Sequence, residues 1–424
     1  MIEKVKGTQD IFDLRLYNYI ASCIRSHMNL YHFSEIQTPL LEHVALFTQT
    51  LGTHTDVVTK EMFTIKSRDE NEENPMCLRP EATAGVMRAF LENHISQTPW
   101  RVFLIGPMFR YERPQKGRLR QFHQWNIEII GEKSILADAE LILMLDRFFH
   151  EQLHMNNYTV QVNFLGCKED RKKHYAMLHN FIQSIDQSKL CANCVQRSKH
   201  NLLRIFDCKE ESCQIIYQKA PKTTDVLCST CLDEWNTLRH TLALLSVSSV
   251  HNSSLVRGLD YYTKTVFEFV GHHGLGAQSA FCGGGRYDEL AHVLESKEPY
   301  PSIGAGIGIE RLLLMLEPYK DQFKTEKKES LVMILPYDQQ QHIISFLCAD
   351  ELHAAGIACE ILFDGSVKSR MRRADREQCD YLFFIGSTEQ EQQSVTIKNM
   401  KTGQQDLVKM VDVVDFIQSK ITTN

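Results

Sequence analysis

Apolar residues recur along this chain in two different periods, and the change from one to the other marks out its elements. Over residues 11–28, Ile11, Leu14, Tyr17, Ile24 and Met28 fall near helical spacing, which predicts an amphipathic helix with one face on a core. Residues 33–38 read as a short strand stopped at Pro39, since proline cannot donate to a ladder. Residues 100–111 (WRVFLIGPMFRY) and 120–130 (RQFHQWNIEII) both predict strands. The polar loop between them, with Pro114 and Gly117, predicts a long antiparallel hairpin. Further strands are expected over 255–269 and 303–309, the second running into an apolar helix over 310–316.

Residues 319–330 (YKDQFKTEKKES) have the composition of a linker. Beyond them the pattern becomes regular: strand 331–335, helix 340–355, strand 357–362, helix 369–377, strand 381–385. That alternation predicts a small α/β domain with parallel pairing. Internal repeats and low-complexity tracts are absent from the sequence.

With 424 residues and 43% hydrophobic content, the chain can bury a sizeable core divided among two or three domains. The first ten residues lack the apolar run of a signal peptide, and no stretch of about 18 uncharged apolar residues occurs. A soluble, cytoplasmic protein without a membrane partner is the expectation. The net charge of −6 argues against coating nucleic acid through overall basicity. Local charge differs. Residues 110–120 hold five basic side chains against Glu112, and residues 168–222 hold eleven Lys/Arg against six Asp/Glu. Two basic patches on an acidic body fit a phosphate-rich ligand gripped at chosen places, or else two solvated faces.

The richest candidate chemistry lies in GPMFRYERPQKGRLRQFHQ, residues 106–124. If the strand continues through it, Arg110 and Glu112 share one face while Phe109 and Tyr111 pack behind. A guanidinium fixed on a rigid sheet can grip a phosphate and stabilise charge that develops there. Glu112 can accept from an exocyclic amine. The bland alternative is a surface ion pair, which leaves the other four basic residues unexplained. LVRGLDYY (255–262) and CGGGRYD (282–288) combine fixed positive charge at Arg257 with glycines that let backbone approach a ligand; glycine runs alone are more often turns. In LRPEAT (78–83), Glu81 and Thr83 sit at an expected strand-to-helix junction, where they either bind a ligand or cap the helix. Gln124 and Glu128 lie four apart on the return strand and so point to one face. An amide and a carboxylate together can bind an ammonium and an imidazole N–H. SIGAGIGIERL (302–312) places Arg311 after a glycine-rich strand.

These strings together resemble class II aminoacyl-tRNA synthetases, and specifically the histidyl-tRNA synthetases. FRYE within ERPQKGRLRQFHQ looks like motif 2, SIGAGIGIERL like motif 3, and IQTPLLE (36–42) like motif 1, whose Pro39 would sit at a homodimer interface. LVRGLDYY and CGGGRYD resemble the two histidine-type peptides. The resemblance covers essentially the whole chain. It implies an α+β catalytic core, a six-stranded antiparallel sheet flanked by helices, in two parts (1–165 and 246–320). A cysteine-rich insertion that meets the tRNA acceptor stem (166–245) and a C-terminal α/β anticodon-binding domain (331–424) complete it. It implies a ligase that joins L-histidine and ATP, with magnesium, into histidyl-adenylate and then transfers histidine to its tRNA. Arg110 and Arg257 would be catalytic, with Arg110, Glu112, Arg118 and Arg311 on ATP. Glu81, Ala82, Thr83, Gln124, Glu128, Arg257, Tyr261, Tyr262 and Tyr287 would hold histidine, and Gln115 and Arg120 would touch tRNA. Relatives commonly carry glycine at the position of Ala82. A catalytically silent regulatory paralogue is the nearest rival, and such proteins usually lack the last domain and the arginine at the position of Arg311. A zinc-dependent RNA-binding module is the rival from another class, and it has no need of the arginines and the pocket together.

Six of thirteen cysteines fall between Cys191 and Cys231. Two CxxC pairs, Cys191/Cys194 and Cys228/Cys231, predict one structural zinc site with four thiolates; free buried thiols are the alternative, and six cysteines fit one four-ligand site imperfectly.

Overall fold

The structure is a computed structural model that describes residues 2–52, 55–66, 74–200, 202–208, 210–276, 279–323 and 331–421. Contacts divide the chain into two compact units, Met1–Phe323 and Lys324–Asn424. No helix among the described residues is long and apolar enough to cross a membrane.

The first unit opens with α1 (Arg15–Leu30), in which Ile24 and Met28 are buried as expected and Ile20 joins them, while Ile11 and Leu14 lie before the helix starts. There follow β1 (Ser34–Glu35), β2 (Leu41–His43), α2 (Val44–Leu51), β3 (Phe63–Thr64), β4 (Met76–Leu78) and α3 (Thr83–Glu92). The hairpin strands are β5 (Trp100–Phe109) and β6 (Gln121–Ile130), followed by α4 (Leu136–Arg147) and β7 (Tyr158–Phe164). The cysteine-rich stretch carries α5 (Lys168–Gln183), α6 (Ala192–His200), α7 (Glu211–Tyr217) and α8 (Ser229–Leu244). The chain then returns through β8 (Ser249–His251), β9 (Thr263–Gly271), β10 (Ala280–Arg286), α9 (Leu290–Val293), β11 (Ser302–Gly308) and α10 (Ile309–Leu316).

One sheet organises this unit, in the order β1-β5-β6-β11-β10-β9-β7-β8. Its central six strands are antiparallel neighbours. Two short parallel strands, β1 and β8, flank them, an addition to the expected six. Alternation decides the faces. Trp125, Ile127 and Ile129 of β6, Ile303, Ala305 and Ile307 of β11 and Phe267 and Phe269 of β9 join α1, α4 and α10 in the main core. Gln124, Asn126, Glu128, Gly304, Gly306 and Gly308 therefore point to the opposite face. Burying an aromatic such as Trp125 or Phe148 contributes enough that truncation to alanine costs ~3–5 kcal/mol. The site's platform is thereby held from behind.

Two expectations change. The strand expected over 255–269 is regular only from Thr263, so LVRGLDYY is an irregular peptide laid against the sheet. Pairing in the hairpin ends at Phe109 and Gln121, so Arg110 and Glu112 do not share a strand face. Pro114 has no N–H to give the ladder, Gly117 takes φ +72°, and Gln115 and Arg118 close a small loop through N–H···O bonds of 3.1 and 2.9 Å.

The second unit has β12 (Val332–Pro336), α11 (His342–Ala354), β13 (Cys359–Ile361), α12 (Val367–Arg376), β14 (Tyr381–Ile385), α13 (Ser387–Glu391), β15 (Ser394–Asn399), β16 (Gln405–Lys409) and α14 (Val413–Ile421). Its sheet runs β13-β12-β14-β15-β16. The first three strands are parallel as predicted, and their alternate residues feed two cores, which explains why they read as continuous apolar runs. β15 and β16 are antiparallel. Five-residue α13 is too short for the crossover that a parallel return needs. The linker expected over 319–330 is helical at Glu317–Gln322, and residues 324–330 lie outside the described residues.

Candidate active site

The polar face of the large sheet is floored by glycine. A Cβ at Gly283 would lie 2.5 Å from Arg257 Nη1, and one at Gly304 would overlap the Glu128 carboxylate. These positions are empty of side chain so that Arg257 and Glu128 can lie flat on the sheet. Arg257 pairs there with Glu268 of β9, and its guanidinium carbon stands 5.6 Å from the Tyr262 ring centre.

Beside it, the hairpin loop and α10 bring three more guanidiniums together. Arg110 leaves the end of β5, donates to Pro80 O at 2.9 Å and lies 5.5 Å from the Phe122 ring centre. Buried Glu112 pairs with Arg118 and stands 3.9 Å from Arg110. Arg311, in the first turn of α10, donates to Gly117 O at 2.9 Å and to Ala280 O, tying the loop to β10. Burial, then the nearby charges of Arg118 and Arg110, push Arg311 down to about 10, partly offset by Glu112 and Glu268. Cations this close together and partly shielded from water repel one another, and a polyanion would relieve that repulsion. α10 sets the geometry: Ile309, Leu312, Met315 and Leu316 face the core, while Glu310 turns to the hairpin and accepts from the His123 N–H at 2.9 Å.

A cluster of buried polar side chains lies near these arginines, with Glu81 within the field of Arg110. Glu81 accepts from the N–H groups of Thr83 (2.8 Å) and Ala84 (2.9 Å) at the start of α3. The capping reading of LRPEAT holds: the Glu81 carboxylate satisfies the first N–H groups of the helix. Thr83 Oγ1 donates to Glu128 at 2.7 Å, and the Tyr287 hydroxyl donates to the other oxygen of Glu128. Burial pushes the Glu128 carboxyl up to about 8, against the hydrogen bonds from Tyr287 and Thr83. Tyr261 packs its ring tilted against Tyr262 at 4.6 Å and edge-on to Tyr287 at 5.7 Å, centre to centre. Gln124 Oε1 is buried with no hydrogen-bond partner among the described residues. Ala82 is buried in the apolar cluster behind α3 and offers the pocket only its shape.

Of the two positions expected to meet tRNA, Gln115 is exposed on the loop, with Arg113 and Lys116. Arg120 is not: its guanidinium carbon lies 3.7 Å from the Tyr111 ring centre, and its N–H donates to Gly7 O at 2.8 Å.

Three contributors were missed in the sequence. Arg79 donates to Thr38 O (3.0 Å) and Pro107 O (3.1 Å), fastening the LRPEAT peptide to β5. Glu268, the partner of Arg257, was visible as the one acid in the apolar alternation of β9. Arg286 belongs to the CGGGRYD peptide but is a fastener: it bonds Asp138, Glu132 O at 2.7 Å and Ser134 O at 2.9 Å, and so fixes Tyr287 toward Glu128.

The expected zinc site fails as drawn. Cys191 and Cys194 cluster with Cys208 and Cys213, whereas Cys228 and Cys231 cluster with Cys167 and Asp170. The two CxxC pairs sit at the starts of different helices, α6 and α8, and α8 starts beside α5, where Cys228 N–H donates to Asp170 at 3.0 Å.

Comparison with known proteins gives consistent results along the chain. Residues 13–312 match the family model described as histidyl-tRNA synthetase, and residues 332–420 match one described as an anticodon binding domain. A histidine–tRNA ligase of Thermosipho melanesiensis is 40% identical over 413 residues, 96% of each chain. One of Clostridioides difficile is 36% identical, over 98% of this chain and 99% of that one. The crystal structure of apo S. aureus histidyl-tRNA synthetase superposes with TM-score 0.77 at 28% identity, covering 98% of this chain and 99% of that one.

Proposed function

The chain belongs to the histidyl-tRNA synthetase family, and from that premise we propose that it is a histidine–tRNA ligase acting in two steps. In the first, a carboxylate oxygen of L-histidine attacks the α-phosphorus of ATP, the bond to the bridging oxygen breaks, and pyrophosphate leaves. In the second, a ribose hydroxyl at the 3′ end of histidine tRNA attacks the adenylate carbonyl and AMP leaves.

The observation that carries this reading is the crowding of Arg110, Arg118 and Arg311 near a buried, hydrogen-bonded Glu128–Tyr287–Thr83 cluster. Arg110 and Arg257 face the α-phosphate and neutralise the charge that develops during in-line attack, and Arg311 holds the γ-phosphate. Glu112 and Arg118 frame the nucleotide, with Glu112 beside the adenine amine. Glu81 and Thr83 take the histidine ammonium. Gln124 and Glu128 meet the polar edge of the imidazole among Tyr261, Tyr262 and Tyr287, so a side chain lacking that edge leaves buried polar groups unpaired. No side-chain nucleophile is needed. The family works with ATP and magnesium. An ion carried by the triphosphate would supply further charge neutralisation when bound.

The division of labour we infer is a catalytic core from residues 1–165 and 246–320, an insertion over 166–245 against the acceptor stem, and anticodon reading by 331–424. Gln115, with Arg113 and Lys116 beside it, reaches the acceptor end, and Arg120 backs the loop. The protein works as a cytoplasmic homodimer. Leu40 and Leu41, next to Pro39, are 39% and 50% exposed and supply apolar surface for a second copy; sedimentation at micromolar concentration should give twice the 49.0 kDa chain mass, and a monomer would refute the pairing. Histidine-dependent exchange of labelled pyrophosphate into ATP tests the enzyme reading. L-histidine alone among amino acids should support exchange. A silent paralogue or an RNA-binding module would give none.

A further inference from the structure

The cysteines of the insertion form two separate ligand sets, and we propose that each holds a tetrahedral zinc ion, one at the tip of the insertion and one at its root. The proposal goes beyond the ligase reading and does not depend on it.

At the tip, the sulfurs of Cys191, Cys194, Cys208 and Cys213 all lie within 4.8 Å of one another. Zinc–sulfur bonds of about 2.3 Å in a tetrahedron place sulfurs about 3.8 Å apart; Cys191 and Cys208 Sγ stand 3.8 Å apart. The surroundings suit thiolates. Cys213 Sγ accepts from the Cys191 N–H at 3.3 Å. Such N–H···S bonds spread the charge of bound sulfur. The four residues hold together α6, α7 and a six-residue 3₁₀ turn, Leu202–Asp207. Elements this short do not persist alone, and the apolar cluster between them is small. A closed metal site supplies what that cluster lacks.

A different observation carries the root site. Cys167 precedes α5 and Cys228 precedes α8, and Asp170 and Cys231 sit three residues further on in each helix. Each pair thus reaches the same side of its helix start, and the four ligand atoms again lie within 4.8 Å of one another. Asp170 is 0% exposed, a buried carboxylate that accepts from the Cys167 and Cys228 N–H groups. The set lies where the chain leaves β7 and where it comes back, so an ion there clasps entry to exit. Together the sets use seven cysteines and one aspartate, which accounts for all six cysteines between Cys191 and Cys231 where one site does not.

The test is the metal content of the full-length protein, purified without chelator and dialysed. Two zinc equivalents per chain are expected. The pair Cys194→Ser/Cys213→Ser should lose one, the pair Cys228→Ser/Cys231→Ser the other, and Cys23→Ser, remote from both sets, neither. Content unchanged by substitution at a set overturns the site at that set. Should a variant fail to fold, cobalt replaces it as the probe. Native protein exchanged with cobalt should show thiolate-to-cobalt charge transfer and tetrahedral d–d bands, and a mercurial should release the metal as the thiols react. Native protein that holds no zinc and takes up neither zinc nor cobalt after reduction overturns both sites.

Discussion

At the scale of single residues, the account rests on charges held where water cannot screen them. The Arg110 side chain makes one hydrogen bond to backbone, to Pro80 O at 2.9 Å. Arg110→Ala should therefore lower kcat for adenylate formation by about 10²–10³-fold while shifting Tm little. Stopped-flow adenylation with a melting curve checks both halves. Glu128 makes a second prediction. Burial raises its carboxyl from 4.5 to about 8, so the folded chain keeps a proton that the unfolded chain has released. That contribution to stability is fully present below about pH 4.5 and is lost as pH rises through about 8. Between those values the ligand-free wild type should lose more Tm than Glu128→Gln; parallel curves for the two would remove the buried carboxylic acid from the account. These residues were legible because each is a charge set in an apolar pattern. Their partners were less so: Glu268 meets Arg257 and Phe122 meets Arg110 through strand register, which a single segment does not encode.

At the scale of elements, the glycine strand β11 is the clearest case of sequence dictating site. Its odd positions, Ile303, Ala305 and Ile307, feed the core, and its even positions 304, 306 and 308 are glycine so that β6 side chains can lie across it. Gly304→Ala should displace Glu128, since the new Cβ overlaps its Oε2. KM for histidine should rise at least tenfold, that factor corresponding to about 1.4 kcal/mol, with KM for ATP changing less. Equal changes in both would point to a general collapse of β11. The hairpin strands were readable to within a residue or two, because a ten-residue alternation on both sides of a polar loop has few other solutions. The loop itself was not: Arg110 and Glu112 meet off the strand, beyond the last ladder pair of Phe109 and Gln121. Its exposed cations give a separate prediction. Arg113→Ala/Lys116→Ala should leave pyrophosphate exchange intact, weaken tRNA charging and flatten its salt dependence. Aminoacylation measured across salt concentrations reads this directly.

At the scale of the whole molecule, the chain separates a chemical unit from a unit that matches anticodon-binding domains. Removing residues 331–424 should spare histidine-dependent exchange and reduce tRNA charging by orders of magnitude; equal loss of both activities would contradict that division. The parallel half of this unit was legible from its apolar runs, whereas the antiparallel β15 and β16 were not, because the short α13 gives no helical period to count. The cysteines show the same limit: spacing identifies ligand pairs, and only the packing of α5 against α8 decides which pairs meet. The central claim is that fixed guanidiniums surround one triphosphate next to a pocket for imidazole. A crystal structure with L-histidine and a non-hydrolysable ATP analogue tests it most directly. Arg110 and Arg257 should lie within hydrogen-bond reach of the α-phosphate and Arg311 of the γ-phosphate, with the imidazole between Glu128 and the tyrosines. Nucleotide bound on another surface, with those arginines untouched, would contradict the account.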